Sequence, residues 1–560
     1  MGVSRGKAQG LRNVISEELS LRMNEMCKRS RSKVDLESVV EKTFTVDDIV
    51  KKIYRKIQPQ WWAAFWGCMI LGLLTYMYFM TNNFLTFDSL WNIYSDQDMI
   101  SSGRQFLTYA CGISSFYDLP WVNGLLAIIF LAMSSVVVVE GLGIKSRVGA
   151  ILAGGLLVTF PAIASTFCYS FTIDGYMIAV FLSALAFLLT DRMKWGFLPG
   201  IVCLGVSIGI YQAYFSFTIV LCILRLLTDL IEQDDMKVIW NKIWRYPVMG
   251  IGGYIFYCVT LKCMLWLKNA ELSGYQGTDK INSFSLADLP AGIIEALKSF
   301  ARFALTSNVL TSTEIMKAAF IVIVLFAVAL YIICFVDGKR YKSVARVVLA
   351  LFLVIAIPIG ATMVNVLSPG TFFHLLMRLP WALFFVYAIV LAEKITANGK
   401  KWYVLVKKGM SAAVLVCGAV LIWQFGIMAN IVAFNMNERY EKTYAVCVRM
   451  VDRIEQTEGY TTGTKVALLG GVLDAEAYPD TDITKEDLVG YFGAGGTMCI
   501  SDTGKFATFS KHYLNVTIET IPLEEEIKLT TTEEFANMPK FPEEGSVQFI
   551  GDVLVIKWNG

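Results

Sequence analysis

The sequence is poor in the residues on which many enzymes depend. Its 560 residues include only two histidines, His374 and His512, and neither has a second histidine or a cysteine at ligand spacing. A histidine-based zinc site therefore has no support, and neither does a Ser/His/Asp triad. The twelve cysteines form no C-x-x-C pair, which argues against a zinc or dithiol site. Only 17% of residues are charged, and outside the segments assigned below to the cytoplasm they form no basic face that would bind nucleic acid.

Apolar residues are abundant instead: 55% are hydrophobic, and the mean hydropathy is +0.54. This composition is typical of a polytopic α-helical membrane protein. Crossing a hydrocarbon core of about 30 Å takes about 20 apolar residues in a helix. On that basis we predict about eleven transmembrane helices, at residues 61–81, 120–140, 148–167, 171–190, 197–212, 213–230, 247–267, 315–336, 346–366, 378–396 and 409–432. Between the fifth and sixth runs, Tyr211-Gln-Ala-Tyr is either a turn or a polar patch within a helix.

The loops between these runs alternate in charge. One set carries most of the Lys and Arg residues, for example Lys145, Arg192, Lys237, Arg340 and Lys400. The positive-inside rule makes that set cytoplasmic. The amino terminus is then inside, and eleven crossings leave the carboxyl terminus outside.

Three regions follow from this pattern. Residues 1–58 are a charged cytoplasmic extension with short amphipathic patterns at 36–41 and 46–53, residues 59–432 are the transmembrane domain, and residues 433–560 are an extracytoplasmic domain. Apolar runs at 465–469, 513–518 and 547–556 predict strands, so this last region is a small C-terminal α/β domain. It contains Cys447 and Cys499, for which a disulfide is one possibility.

Acidic residues gather in the predicted outer loops, at Asp88, Asp96, Asp98 and Asp118, at Asp174, and at Glu271, Asp279 and Asp288. An ionisable group inside a membrane costs about 2.5–3.5 kcal/mol or more, so such groups usually face a cavity. Asp174 begins an otherwise apolar helix and fits this description. Helix capping would explain any one of these residues, but capping does not require that they cluster.

Such carboxylates could act as a general base that takes the proton of an attacking sugar hydroxyl. The leaving group would be a lipid phosphate, stabilised by cations. Arg104 and Arg378 are the candidates, with Lys268 behind them, although Arg378 could simply reach the headgroups. Asp96 and Asp98 could bind Mg²⁺, but two carboxylates are a weak signal. We therefore expect no metal and no other cofactor.

At these residues the chain resembles the GtrII family of bacterial membrane glucosyltransferases, which modify cell-surface polysaccharides. The resemblance covers residues 60–560 and has four parts. These are Phe87-Asp-Ser-Leu with Gly103-Arg104, Phe171-Thr-Ile-Asp-Gly-Tyr, Tyr211-Gln-Ala-Tyr, and a tail with Asn437-Glu-Arg-Tyr-Glu and Met538-Pro-Lys-Phe-Pro-Glu-Glu-Gly-Ser-Val.

The resemblance implies a GT-C-type, inverting enzyme in the bacterial cytoplasmic membrane, with an outward-facing site. Its donor would be a polyprenyl-phosphate hexose, made by a separate synthase and moved across the membrane by a flippase, and its acceptor a polysaccharide. GT-C enzymes carry an acidic catalytic residue in the first outer loop, where Asp88, Asp96 and Asp98 all lie. A second acid between helices 3 and 4 often assists, and Asp174 lies there.

Two other functions remain open. A lipid-linked sugar flippase or another transporter would show paired repeats and helices broken near the middle of the membrane. Pro161 and Pro358 could break helices, but no paired repeat is evident. A polysaccharide polymerase or ligase would have a similar sequence pattern and would differ in the length of its product.

Overall fold

The computed structural model describes residues 18–25, 46–82, 84–86, 88–273, 288–307, 309–367, 373–396, 399–471, 492–493 and 498–558. The predicted amphipathic pattern at 36–41 and the acidic residue Asp279 lie outside these residues. The chain divides into two compact units, Met1–Gln58 and Pro59–Gly560.

The first unit contains a helical segment at residues 18–25 and helix α1 (Val46–Tyr54). Asp47 and Asp48 lie in the first turn of α1, and Lys51 and Lys52 lie in the last. The negative charges lie at the positive end of the helix dipole and the positive charges at its negative end, which stabilises the helix. The helix predicted at 46–53 is confirmed.

Helices account for most of the second unit. The first six are α2 (Pro59–Thr81), α3 (Leu107–Cys111), α4 (Pro120–Leu142), α5 (Arg147–Thr159), α6 (Pro161–Phe167) and α7 (Ile173–Arg192). The next six are α8 (Phe197–Ile210), α9 (Phe215–Glu232), α10 (Met236–Lys268), α11 (Leu289–Thr306), α12 (Glu314–Asp337) and α13 (Val344–Ala361). The last three of the bundle are α14 (Met363–Leu367), α15 (Ala382–Glu393) and α16 (Lys401–Gln456).

Nine helices within the described residues are long and apolar enough to cross a membrane, which makes this a multi-pass membrane protein. The pair α5 and α6, bent by 45°, would make a tenth span. Helix α8 covers the fifth predicted run, but its 14 residues extend only about 21 Å. A helix is present at each of the eleven predicted runs, while the count of eleven crossings stays a prediction.

Two breaks in the helices have local causes. Pro161 disfavours the helical conformation of the residue before it, and Phe160 accordingly has a ψ of 135°. Tyr211 is extended, with φ −155° and ψ 116°, and separates α8 from a 3₁₀ turn at Gln212–Tyr214 that leads into α9. The Tyr211-Gln-Ala-Tyr segment is therefore a turn, one of the two predicted alternatives.

A buried ion network joins three helices. Lys242 of α10 lies 2.7 Å from carboxylate oxygens of both Asp191 of α7 and Asp229 of α9. Arg225 adds a 2.7 Å pair with Asp229. Removing one member would leave an uncompensated buried charge, so the network fixes how these helices pack.

Helix α16 is one continuous helix of 56 residues, about 84 Å long, that belongs to both the bundle and the C-terminal domain. The domain adds β1 (Lys465–Leu469), β2 (Glu519–Thr520), β3 (Val547–Ile550) and β4 (Val553–Lys557) in the order β2-β1-β4-β3. Strand β1 is parallel to β2 and β4, while β3 and β4 form a hairpin. The short helices of the domain are α17 (Thr503–Phe509), α18 (Leu523–Thr530) and α19 (Glu533–Asn537).

The strands predicted at 465–469 and 547–556 are confirmed, the latter as a hairpin, but the strand predicted at 513–518 is wrong. Residues Ser510–Leu514 form a helical turn, which Asn515 ends in a left-handed conformation with φ 58°. Aromatic packing of Tyr513 on Phe509 and Tyr440 outweighs its strand propensity. Cys447 and Cys499 are buried free thiols, not a disulfide.

Candidate active site

The first predicted outer loop packs into the hydrophobic core of the C-terminal domain. Leu85 and Leu90, from that loop, belong to the hydrophobic core that α16, α17 and the sheet form. The Cys499 thiol donates a 3.2 Å hydrogen bond to the Leu85 carbonyl. Contacts with the domain therefore fix the loop. The loop and the domain meet at one end of the bundle, which we call the 'domain end'.

Asp88 follows directly in this loop. It is half-buried, and this burial raises the pKa of its carboxyl, while the positive charge of Lys505 in α17 acts in the opposite direction. Lys505 is 9% exposed and donates to Ser501 at 2.9 Å. The C-terminal domain thus contributes a cation next to one of the predicted acids.

Asp96 and Asp98 lie at the exposed surface of the same loop. A carboxylate oxygen of Asp96 accepts the backbone N–H of Asp98 at 3.1 Å, as in an Asx turn. Asp98 forms a 2.6 Å ion pair with Lys268 at the end of α10. The structure thus brings together two of the predicted site residues, but they neutralise each other.

Asp174 is the most buried of the predicted acids. It lies in the first turn of α7 and is 1% exposed, and neither carboxylate oxygen has a hydrogen-bond partner among the described residues. The backbone N–H groups of Asp174 and Gly175 and the side chains of Ser114 and Cys111 lie close enough to offset part of the cost of this burial, although none is aligned for a good hydrogen bond. Gly175 allows this approach, because a Cβ there would lie 2.8 Å from the Cys111 sulfur. A buried carboxylate whose oxygens form no well-aligned hydrogen bond is costly, and a ligand that carries hydrogen-bond donors would lower that cost.

Asp118, in the loop before α4, lies close enough to Asp174 for their charges to interact. The Ser170 hydroxyl donates to one carboxylate oxygen of Asp118 at 2.9 Å, and the other oxygen is buried without a partner among the described residues. Burial raises the pKa of Asp118 to about 6, and the negative charge of Asp174 adds to this effect. The amide of Asn123 donates to the Ser170 carbonyl at 3.2 Å, while the side-chain oxygen of Asn123 has no donor within the same described set.

These three side chains present acceptors without donors. A sugar, whose hydroxyl groups are hydrogen-bond donors, would satisfy them. Asp118 was only one of several loop acids in the sequence, and Asn123 carried no signal there. The one feature of the sequence that sets Asp118 apart is that it lies two residues before Pro120, which begins a long apolar helix.

Arg104 lies in an aromatic cluster near the start of α7. Its guanidinium donates to the Tyr176 hydroxyl at 3.2 Å and lies 4.9 Å from the centre of the Tyr211 ring. Those two rings stack, with centroids 4.4 Å apart. A guanidinium held in this way keeps its charge and a fixed orientation.

Gln212 fixes the loop that precedes Arg104. Its side-chain amide donates to the carbonyls of Ser102 and Gly103, at 3.1 and 2.9 Å. Gly103 has a φ of 72°, which favours glycine. Three motifs that are distant in the sequence therefore meet here: Gly103-Arg104, the Tyr176 segment and the Tyr211-Gln212 turn.

Arg378 lies in a 3₁₀ helix, Leu375–Trp381. Its guanidinium lies 4.6 Å from the centre of the Phe303 ring and 4.7 Å from that of Phe373, and it donates to the Ser299 hydroxyl at 3.3 Å. Next to this helix, burial and the charge of Arg104 lower the pKa of His374. Arg378 thus packs against α11, while His374 lies on the Arg104 side.

Among the described residues, no group of three or more His, Cys, Asp or Glu side chains could hold a metal ion. The aspartates group instead as the pair of half-buried Asp118 and buried Asp174, and as exposed Asp96 with the ion-paired Asp98. The sequence could not separate these two groups.

Comparison with known families agrees with the resemblance in the sequence. The family described as Glucosyl transferase GtrII matches residues 77–386, which include Asp88, Arg104, Asp118, Asp174 and Arg378. This match covers more than half of the chain, and the chain belongs to that family of glucosyltransferases. No curated protein and no solved structure matches it.

Proposed function

We propose that this protein transfers a glucosyl residue from a polyprenyl-phosphate donor to a cell-surface polysaccharide, as a side branch. The reaction would take place at the domain end, on the outer face of the bacterial cytoplasmic membrane. A separate synthase and a flippase would supply the donor. This proposal makes the glucosyl transfer that the family implies specific in donor, acceptor and side of the membrane.

The observation that carries the proposal is the pair Asp118 and Asp174. One carboxylate oxygen of Asp118 and both of Asp174 have no hydrogen-bond donor among the described residues, and Asp174 is 1% exposed. Hydroxyl groups of a glycan would supply those donors. A carboxylate in an apolar setting is also a stronger base than one in water, because burial disfavours its charge.

The reaction would then proceed as follows. An acceptor hydroxyl bound at the pair attacks the anomeric carbon of the donor, and its proton passes to the carboxylate of Asp174, whose titration is coupled to that of Asp118. The bond between the anomeric carbon and the phosphate oxygen breaks, and polyprenyl phosphate leaves with the bonding electrons. Attack opposite to the leaving group inverts the anomeric configuration, and no oxidant or reductant is needed.

The other predicted residues take different places in this scheme. Asp88, beside Lys505, is a second candidate for the base. Arg104 keeps its proposed role as a cation for the donor phosphate, since its guanidinium is fixed by Tyr176 and Tyr211. Lys268 is neutralised by Asp98, and Arg378 packs between two phenyl rings, so both suit a structural role better.

The test is transfer from radiolabelled polyprenyl-phosphate glucose to the polysaccharide of the producing bacterium, in proteoliposomes. We expect one glucose per acceptor repeat, release of polyprenyl phosphate, and full activity in the presence of a chelator. Movement of the intact donor across the bilayer without product would favour the flippase function. Products that contain joined repeats would indicate a polymerase or ligase.

A further inference from the structure

A groove of about 580 Å³ lies on the flank of the bundle, between α2, α5 and α16. Its walls are apolar and include Leu71, Leu74, Ile422, Trp423 and Ile431. Leu74 and Trp423 are 71% and 69% exposed, so the groove is open on the side that a membrane would cover. Its volume lies within the usual range for a small-molecule site.

One polar side chain in this groove lacks a partner. Asn435 is 1% exposed and lines the groove, and its amide nitrogen has no hydrogen-bond partner among the described residues. The neighbouring Asn430 differs, because its amide donates to the carbonyls of Thr75 and Gly426 at 3.2 and 2.8 Å. An unsatisfied buried donor destabilises the protein unless a ligand accepts its hydrogen bond.

Asn435 is the last residue of α16 in the groove wall, and the helix continues from there toward the loop that carries the acids. Arg439 follows one turn later on the same face of α16 and is 8% exposed. Its positive charge interacts with the Cys499 thiol, which donates a hydrogen bond to the Leu85 carbonyl in the loop that carries Asp88. The next residue, Tyr440, packs on Tyr513, whose hydroxyl interacts with Asp118.

We propose that this groove binds the isoprenoid chain of the lipid donor, with the donor phosphate at Asn435 and Arg439. The apolar walls suit a hydrocarbon chain, and the amide and the guanidinium supply hydrogen bonds and charge for a phosphate. Arg439 is then the first cation that the donor phosphate meets, ahead of Arg104. This inference rests on the proposed function, because it takes the donor class from it.

A second groove on the bundle lacks this polar end. It measures about 320 Å³ and lies between α9, α10 and α13. Of its polar side chains, Thr218 donates to the Ser183 carbonyl and Tyr246 to Asp191. No unpartnered donor lines it among the described residues, so it gives a phosphate nothing to bind.

The first experiment fills the groove. A Cβ at Gly426 would meet only the Thr75 hydroxyl, at 3.7 Å, so Gly426→Phe places a ring in the groove without a backbone clash. Gly409→Phe is the matched control on the same helix, where nothing lies within 4 Å. Polyprenyl phosphate without sugar is titrated into purified protein in detergent, and the rise in melting temperature is recorded.

We expect polyprenyl phosphate to stabilise the wild type and Gly409→Phe, and to bind Gly426→Phe at least about tenfold more weakly. Equal binding to all three proteins would overturn the inference. So would equal stabilisation of the wild type by phosphatidylglycerol, because the groove would then hold an ordinary membrane lipid.

The second experiment uses the sign of a stability change. Asn435→Leu removes an unsatisfied buried donor, so we expect an unchanged or higher melting temperature without lipid, and weaker binding of polyprenyl phosphate. If Asn435 only supported the fold, its replacement would lower the melting temperature and leave binding intact, which contradicts the inference.

Neither assay contains a sugar, so the two proposals can fail separately. Groove-dependent binding of polyprenyl phosphate by a protein that transfers no glucose would overturn the proposed function and leave the groove in place. Glucosyl transfer that is unaffected by Gly426→Phe, together with unaffected binding, would overturn the groove alone.

Discussion

The Ser170 hydroxyl donates a 2.9 Å hydrogen bond to Asp118, and thereby ties the loop before α4 to the turn that begins α7. Asp174 lies four residues after Ser170. Two carboxylates from different segments are thus held close enough for the charge of one to raise the pKa of the other. Such a pair titrates as a unit, with apparent pKa values that belong to both groups.

The pKa of about 6 for Asp118 predicts how activity depends on pH. A general base must be deprotonated, so kcat/KM should fall as the pH drops through about 6. Asp118→Asn should change the position of this step, whereas Asp96→Asn should leave it unchanged. A profile that stays flat between pH 5 and 7 (about one pH unit on each side of the step) would contradict the role of the pair.

The same shift predicts a trend in stability. Because the folded protein raises the pKa of Asp118 from 3.8 to about 6, the folded state binds the proton more tightly than the unfolded state. This contribution is fully present below the unfolded pKa and is lost as the pH rises through the folded one. The difference between the melting temperatures of the wild type and Asp118→Asn should therefore decrease as the pH rises from about 3.8 to about 6.

Asp98 and Lys268 should contribute little. Their side chains are 36% and 46% exposed, and exposed ion pairs contribute about 0–1 kcal/mol. We expect Asp98→Asn and Lys268→Gln each to lower the free energy of unfolding by less than about 1 kcal/mol. A double-mutant cycle in low and high salt measures the pair. A large loss of glucosyl transfer in Asp98→Asn would instead place the base in the exposed part of the loop.

Arg104 should not tolerate lysine. A lysine would keep the charge but lose the planar guanidinium that stacks on Tyr211 and donates to Tyr176, interactions of about 1–3 kcal/mol together. We expect Arg104→Lys to lower kcat/KM about tenfold to a hundredfold, mainly through the KM for the donor. Tyr211→Phe keeps the ring and is the matched control. An equal loss in both variants would mean that the loss comes from disturbing the aromatic cluster and not from the missing guanidinium.

The stability of the C-terminal domain should depend on the loop that packs into its core. Leu90 is 2% exposed within the core of that domain, so Leu90→Ala should cost about 2–5 kcal/mol. Limited proteolysis should then release the domain faster than in wild type. Leu523→Ala, in the same domain but 69% exposed, should behave as wild type. Equal proteolysis of the two variants would mean that the loop and the domain are independent.

Much of the bundle could be predicted from the sequence, because a long apolar run in a membrane protein has few alternatives to a helix. A helix occupies each predicted run. Length was harder to judge: the fifth run contains Tyr211, whose extended backbone shortens α8. The strand predicted at 513–518 failed because Tyr513 packs on Tyr440, which is far away in sequence.

The site was predicted less well, for a physical reason. Burial separates Asp174 from Asp98, and burial depends on contacts between segments that the sequence does not specify. Asp118 becomes distinctive only through Ser170, 52 residues away. Likewise, Lys268 could not be recognised as the partner of Asp98, which lies 170 residues away.

The most direct test of this account is the rate of glucosyl transfer by purified Asp174→Asn, with Asp96→Asn as the control. Asparagine keeps the shape of the side chain but cannot accept the proton, so we expect a loss of about 10²–10⁴-fold in kcat. The melting temperature should be unchanged or higher, because the cost of burying a charge is removed. If Asp174→Asn transfers glucose at close to the wild-type rate, Asp174 is not the base and this account of the site is wrong.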